Sequence, residues 1–206
     1  MAIISDNLNN AAQLYVAECL IKLGARPSIV STLCGIRIRK VREIYSDVRG
    51  RQSPSGALPS DTHWILRCST NCIHASIFFG IYRRILLEIG VSDKLNYAHA
   101  FVTAYSIYNM DCAANDEASK LDINRAYDIV RQDANGDIAM RLCATCGSNH
   151  LALSFYPDQL NGCPVCHVWT NADGRFSWMS TRAMNHRKNG RQRFGTAKNR
   201  VEANPL

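Results

Sequence analysis

The sequence predicts a mainly α-helical protein that ends in a small cysteine-bearing β knuckle and a basic tail. Three observations carry that expectation. Apolar residues recur at helical spacing through most of the first 134 positions. Two Cys-x-x-Cys pairs then lie inside the 24-residue stretch "CATCGSNHLALSFYPDQLNGCPVC". The last 33 residues are polar and rich in Arg, Lys, Gly and Asn.

The elements follow in order. In "DNLNNAAQLYVAECLIKLG", Leu8, Ala11, Leu14, Tyr15, Ala17, Leu20 and Ile21 fall on an inward helical stripe, and Gly24 stops the helix. "RPSIVSTLCGIRIRKVREIYSDVRG" reads as a short helix opened by Pro27, a turn at Gly35 and a second helix stopped at Gly50. The Pro-, Gly- and Ser-rich stretch 51–60 is a loop or linker. From Asp61, an N-cap, "THWILRCSTNCIHASIFFGIYRRILLEIG" predicts one long helix that can break at Gly80. Ser92 caps the aromatic-rich "DKLNYAHAFVTAYSIYNM", "ANDEAS" is a connector, and Asp122 caps "INRAYDIVRQDA", ended by "NGD". "DIAMRLC" and "HLALSFY" read as strands flanking the first cysteine pair. The division expected is 1–50 (a helical region with a helix-turn-helix-like unit), 51–60 (linker), 61–136 (helical core and partner-binding region), 137–173 (knuckle) and 174–206 (tail).

The spacing Cys143-x2-Cys146-x16-Cys163-x2-Cys166 is that of a four-cysteine zinc site. A tight turn aims both sulfurs of each pair at one centre, and Gly147 and Gly162 stand where the chain must bend. One Zn2+ per chain is expected, structural because four thiolates leave no position for a reacting water. His150 and His167 stand close enough to replace a ligand. A thioredoxin-type redox site requires a βαβ unit, and a zinc deaminase requires His-x-Glu; neither pattern is present. The other five cysteines, Cys19, Cys34, Cys68, Cys72 and Cys112, read as small buried hydrophobes in a reducing compartment. The "MAIISDNLNN" start lacks the features of a secretory signal, and no apolar run is long enough to span a bilayer, so a cytoplasmic location away from membranes is expected.

The formal net charge of +7 is uneven: residues 22–51 carry +6 and 174–206 carry +7, flanking a mildly acidic middle. Two basic blocks point to a polyanionic partner, most simply nucleic acid. Counted from Gly35, the residues Val30, Cys34, Ile36, Val41 and Ile44 take the inward positions of a DNA-reading helix-turn-helix, with small Ser31 at the close approach. Arg37, Arg39, Lys40 and Arg42 then face outward. An ordinary helical hairpin with a solvated basic face has the same pattern, and pattern alone leaves both open. His74 reads as a hydrogen-bonded core histidine. Of Trp64, Phe78, Phe79, Tyr82, Tyr97, Phe101, Tyr105 and Tyr108, most belong to the core and a minority to a partner surface. Trp169, Phe176 and Trp178 either stack on bases or dock the tail onto the knuckle, the second being preferred.

"LGAR" at 23–26, "EIYSDVRG" at 43–50, "G-x-LP" at 56–59, "IHAS" at 73–76 and the four-cysteine spacing occur together, in this order. With them the chain, from about residue 10 to 170, resembles the FlhC family of bacterial flagellar activator subunits. That resemblance implies a zinc-binding transcription activator subunit that works only with a smaller FlhD-like partner. Such a hetero-oligomer binds double-stranded promoter DNA and recruits RNA polymerase. Zinc ligands carry over onto Cys143, Cys146, Cys163 and Cys166. DNA contacts are expected at Arg37, Arg39, Lys40 and Arg42, at Arg49 and Arg51 in the following loop, and at Arg187, Lys188, Arg191 and Arg193 in the tail. The basic tail and diverged middle helices depart from the flagellar pattern and lean toward the FlhC-like activators of conjugative elements, the SetC and AcaC type. The regulon is then conjugative transfer, or else flagellar operons. Two other classes compete: a zinc-dependent enzyme acting on nucleic acid, which needs an open metal position and a general base, and an interaction scaffold that does not bind DNA.

Overall fold

The computed structural model describes residues 2–54, 56–90, 93–112, 121–156 and 162–170. Within them the chain forms α1 (Ala2–Lys22), α2 (Pro27–Cys34), α3 (Ile38–Arg49), a 3-10 turn (Thr62–Leu66), α4 (Ser69–Ile89), α5 (Lys94–Cys112), α6 (Ile123–Ala134), β1 (Ile138–Leu142), β2 (Asn149–Leu153) and α7 (Pro164–Thr170). The fold is mainly helical with one two-stranded sheet, as the periodicity predicts.

The helix ends obey local chemistry. At the end of α1, Ala25 N–H bonds Leu20 C=O at 2.9 Å and Gly24 N–H bonds Ile21 C=O at 3.0 Å, the paired closure of a Schellman motif. Gly24 sits at φ 95°, and a Cβ there would lie 3.4 Å from Arg49 Nη2, so both the turn and its neighbour favour glycine. α2 begins with Pro27 and ends with Gly35 in the left-handed region, and Ser31 Oγ donates to Ile36 C=O at 2.7 Å. Asp122 caps α6 as expected, accepting the N–H groups of Asn124 and Arg125.

Several expectations need correction. Leu14 and Tyr15, expected on the inward stripe of α1, are 44% and 65% exposed; the helix buries Val16, Ala17, Leu20 and Ile21 instead. α1 is apolar on nearly every side, so periodicity could not choose the face that meets α2, α3 and α5. The single long helix from Asp61 is two elements. Asp61 accepts His63 N–H and starts only the 3-10 turn. Cys68 is extended and its sulfur accepts Asn71 N–H, which starts α4 anew; Gly80 lies unbroken within it. The interruption lets both Ile65 and Leu66 enter the core. Ser92 and "ANDEAS" lie outside the described residues; Asp93 accepts Asn96 N–H at 2.8 Å in the capping arrangement.

α4 is the central element. It packs along α5 and touches α6, β2 and α7. Phe78, Phe79, Phe101, Tyr105 and Tyr108 are buried between these helices in mostly edge-to-face contacts, each contributing about 1.5–3 kcal/mol by burial. Tyr82 is also buried, Tyr97 is 46% exposed, and Trp64 lies under the Arg125 guanidinium, so the aromatics divide as the sequence reading expects. His74 accepts from or donates to Tyr108 Oη across 2.9 Å, the hydrogen-bonded core histidine expected.

Candidate metal clamp and basic helix pair

β1 and β2 pair antiparallel with Ile138 opposite Leu153 and Leu142 opposite Asn149. Their hairpin turn carries the first cysteine pair. Cys143 N–H bonds Ser148 C=O at 2.9 Å and Gly147 N–H bonds Cys143 C=O at 2.9 Å, closing a tight loop. Gly147 takes φ 71°, whereas Gly162 needs no left-handed backbone. The second pair straddles the start of α7: Cys163 C=O accepts His167 N–H at 3.2 Å, and Cys166 lies in the first turn. This helix was not anticipated, although Pro164 at its first position was a legible start signal.

The four sulfurs all lie within 4.8 Å of one another. Cys143 and Cys166 are 3.7 Å apart, and Cys146 and Cys163 are 3.6 Å apart. Tetrahedral zinc–thiolate bonds of about 2.3 Å place sulfurs about 3.8 Å apart, so the cluster has the size of a ZnS4 centre. The residues fit the metal. The cluster consists of these four cysteines; His150 and His167 do not belong to it. His167 Nδ1 lies 3.4 Å from Ser69 Oγ instead. His150 is 4% exposed on β2, and neither ring nitrogen has a hydrogen-bond partner among the described residues.

The turns also set the thiol chemistry. The Ser148 hydroxyl and backbone beside Cys146 pull its pKa down to about 6, and backbone N–H groups of Cys146 and Thr145 lower that of Cys143. Hydrogen bonding to Cys146 pushes Cys166 up to about 12, and burial raises Cys163. The hairpin sulfurs therefore take negative charge before the helix sulfurs. Away from the clamp, burial pushes Cys34 and Cys72 up to about 12, and Cys112 is buried too, in keeping with inert core thiols. Cys19 and Cys68 depart from that expectation, being only half-buried.

One bracket was missed in sequence. Ser76 and Cys72, one turn apart on α4, hold the β2 backbone: Leu151 N–H donates to Ser76 Oγ, and Cys72 Sγ donates to Leu151 C=O at 3.4 Å. The "IHAS" stretch held the signal, a serine among apolar helical residues.

The helix pair α2–α3 packs on α1 as the helix-turn-helix spacing expects. Val30, Cys34 and Val41 are buried, Ile36 and Ile44 pack partly buried against the core, and Tyr45 joins them. Arg37, Arg39, Lys40 and Arg42 are exposed, with Lys40 3.2 Å from Glu43. Arg49 and Arg51 are exposed as well, the Arg49 guanidinium turned toward Gly24. Arg187, Lys188, Arg191, Arg193, Phe176, Trp178 and the side chain of Trp169 lie outside the described residues.

These features define a mainly helical protein with a closed four-thiolate clamp and a cationic helix pair. The chain belongs to the FlhC family: the family described as Flagellar transcriptional activator (FlhC) matches residues 4–176. The flagellar transcriptional regulator FlhC of Gallionella capsiferriformans is 30% identical over 169 residues, covering 80% of this chain and 88% of that one. The Proteus mirabilis regulator is 29% identical, covering 77% and 80%, and the Serratia marcescens regulator 28% identical, covering 81% and 84%. By family the protein is a transcriptional activator, not an enzyme. No described helix is long and apolar enough to cross a membrane.

Proposed function

We propose that the chain is the DNA-binding subunit of a heteromeric activator, working with an FlhD-like small subunit and RNA polymerase at promoters in the cytoplasm. The observation that carries this reading is the two-sided helix pair. Its inner face is seated on α1 through Val30, Cys34 and Val41, while Arg37, Arg39, Lys40 and Arg42 stand on the outside. A cationic helix held rigidly by its apolar side suits phosphates and base edges. Arg49, Arg51 and the tail cations Arg187, Lys188, Arg191 and Arg193 extend the same charge in this reading. Zinc in the clamp would tie α7 to the β hairpin, a structural role that leaves no ligand position for substrate.

A partner subunit has a surface to meet. Tyr15 of α1 and Ile107 and Met110 of α5 are exposed by 65%, 40% and 76% and line one shallow apolar groove of about 450 Å³. Apolar area of this kind on a regulator fits an obligate subunit contact better than water. The diverged tail favours the promoters of conjugative-transfer genes over flagellar operons as targets.

The test is reconstitution with the FlhD-like subunit, followed by titration of promoter and random duplexes over a range of salt. Specific binding with a steep salt dependence is expected. Replacing Arg37, Arg39, Lys40 and Arg42 by Ala flattens the slope by roughly 0.9 for each phosphate that is no longer neutralised. Equal affinity for promoter and random DNA would contradict specific regulation.

A further inference from the structure

The outer side of the helix pair is a groove as well as a cationic ridge. Arg26, just before α2, reaches out with Nη1, which donates to the carbonyls of Gly56 at 2.9 Å and Ala57 at 2.6 Å. Its root is fixed independently: Arg26 N–H donates to Asn124 Oδ1 at 3.0 Å, and Asn124 Nδ2 lies 3.5 Å from Gly24 C=O. One side chain therefore straps the chain that follows α3 to the turn that precedes α2. Between α3 and the strapped stretch Arg51–Pro54 lies a groove of about 760 Å³.

The lining is donor-rich. Ser28 and Ser46 bring hydroxyls from the helices, Arg42 brings a guanidinium from α3, and Gln52 and Ser53 face them from the loop. The carboxylate among the described lining residues, Glu43, lies 3.2 Å from the ammonium of Lys40, which offsets its charge. Hydroxyls, a carboxamide and guanidinium groups around an open trough match phosphodiester oxygens, which accept several hydrogen bonds and carry negative charge. They do not match the apolar helix of a protein partner.

We propose that this groove seats a stretch of the DNA sugar-phosphate backbone alongside α3, and that Arg26 is the positioning residue that builds it. The inference rests on the DNA-binding reading above. In it, one strand is held from two sides, by Arg42 and Ser46 on the helix and by Gln52 and Ser53 on the loop. Arg26 acts through the loop, because the two carbonyls already engage its Nη1.

The experiment uses the complex reconstituted with its small subunit and a promoter duplex. Arg26→Ala is expected to weaken binding about tenfold at about 0.15 M salt and to reduce the salt slope by about 0.9, the share of one phosphate. Far-UV circular dichroism of the complex should stay unchanged. The double replacement Gln52→Ala, Ser53→Ala alters solvent-facing loop residues and leaves the core intact. It should weaken binding severalfold in the wild-type background and have no further effect in the Arg26→Ala background, where the loop has already left. Wild-type affinity and slope in Arg26→Ala overturns the proposal. So does a loop double replacement that is silent, or whose effect adds fully to that of Arg26→Ala. If the unaltered complex fails to bind DNA, the DNA-binding reading itself falls and takes the groove with it; if the unaltered complex binds and only these variants are silent, the groove alone falls.

Discussion

Ser76 on α4 and Leu151 on β2 are joined by a buried hydrogen bond, the Leu151 N–H donating to Ser76 Oγ at 2.9 Å. Ser76 Oγ in turn donates to Cys72 C=O at 2.6 Å, so the hydroxyl is fully used. This couples the helical core to the strand that leads out of the metal clamp. Ser76→Ala leaves a buried N–H without a partner, and a drop in stability of about 1–3 kcal/mol is expected in urea unfolding of the chain. The Leu151 amide should also exchange faster with solvent. A variant that unfolds at the wild-type midpoint would show that the bracket contributes nothing to stability.

Metal analysis should find one zinc per chain, and X-ray absorption should find four sulfurs at about 2.3 Å. Three sulfurs and a water oxygen would reopen the enzymatic reading. Cys143→Ser or Cys166→Ser is expected to abolish metal binding and folding of the hairpin with α7. A metal-free Cys143→Ser protein that stays soluble, helical and able to bind DNA would show that the clamp is dispensable.

Tyr108 Oη accepts Leu121 N–H at 2.9 Å and faces His74 Nδ1 at 2.9 Å, so the hydroxyl proton points to a neutral imidazole. Burial holds His74 below its ordinary 6.5. The unfolded chain therefore takes up this proton first as pH falls. The contribution is complete above about 6.5 and disappears as pH falls toward the folded pKa. His74→Asn keeps an acceptor near the position of Nδ1 and removes the titration. Its melting temperature should fall less than that of the wild type between about pH 7 and pH 5; parallel profiles would exclude His74 as the source.

His150 is buried with both ring nitrogens unpartnered among the described residues, a desolvation cost without compensation. His150→Leu should stabilise the chain by about 1 kcal/mol in the same urea experiment. A destabilised variant would mean that the imidazole has a bound partner.

The zinc clamp was legible because its information is local. Two Cys-x-x-Cys turns and the number of residues between them constrain where four sulfurs can meet, whatever surrounds them. The helix pair was legible for a related reason: Gly35 marks the turn, and Val30, Cys34 and Val41 count outward from it to the buried side. The Asp122 cap also depends only on its own next three residues.

Other features had no local signature. Which side of α1 faces inward, leaving Tyr15 in water, depends on how α2, α3 and α5 close around a helix apolar on nearly every side. The restart of α4 at Cys68 reflects the burial of Ile65 and Leu66 together, which a continuous helix would not have allowed. Arg26 meets Gly56 and Ala57 thirty residues away, and Ser76 meets Leu151 seventy-five residues away. By itself the sequence determined the family, the helical content and the four ligands, since these follow from short-range spacing and turn chemistry. Only the tertiary structure decided which polar side chains tie the pieces together, because a hydrogen bond between distant residues exists only where packing has brought donor and acceptor within reach.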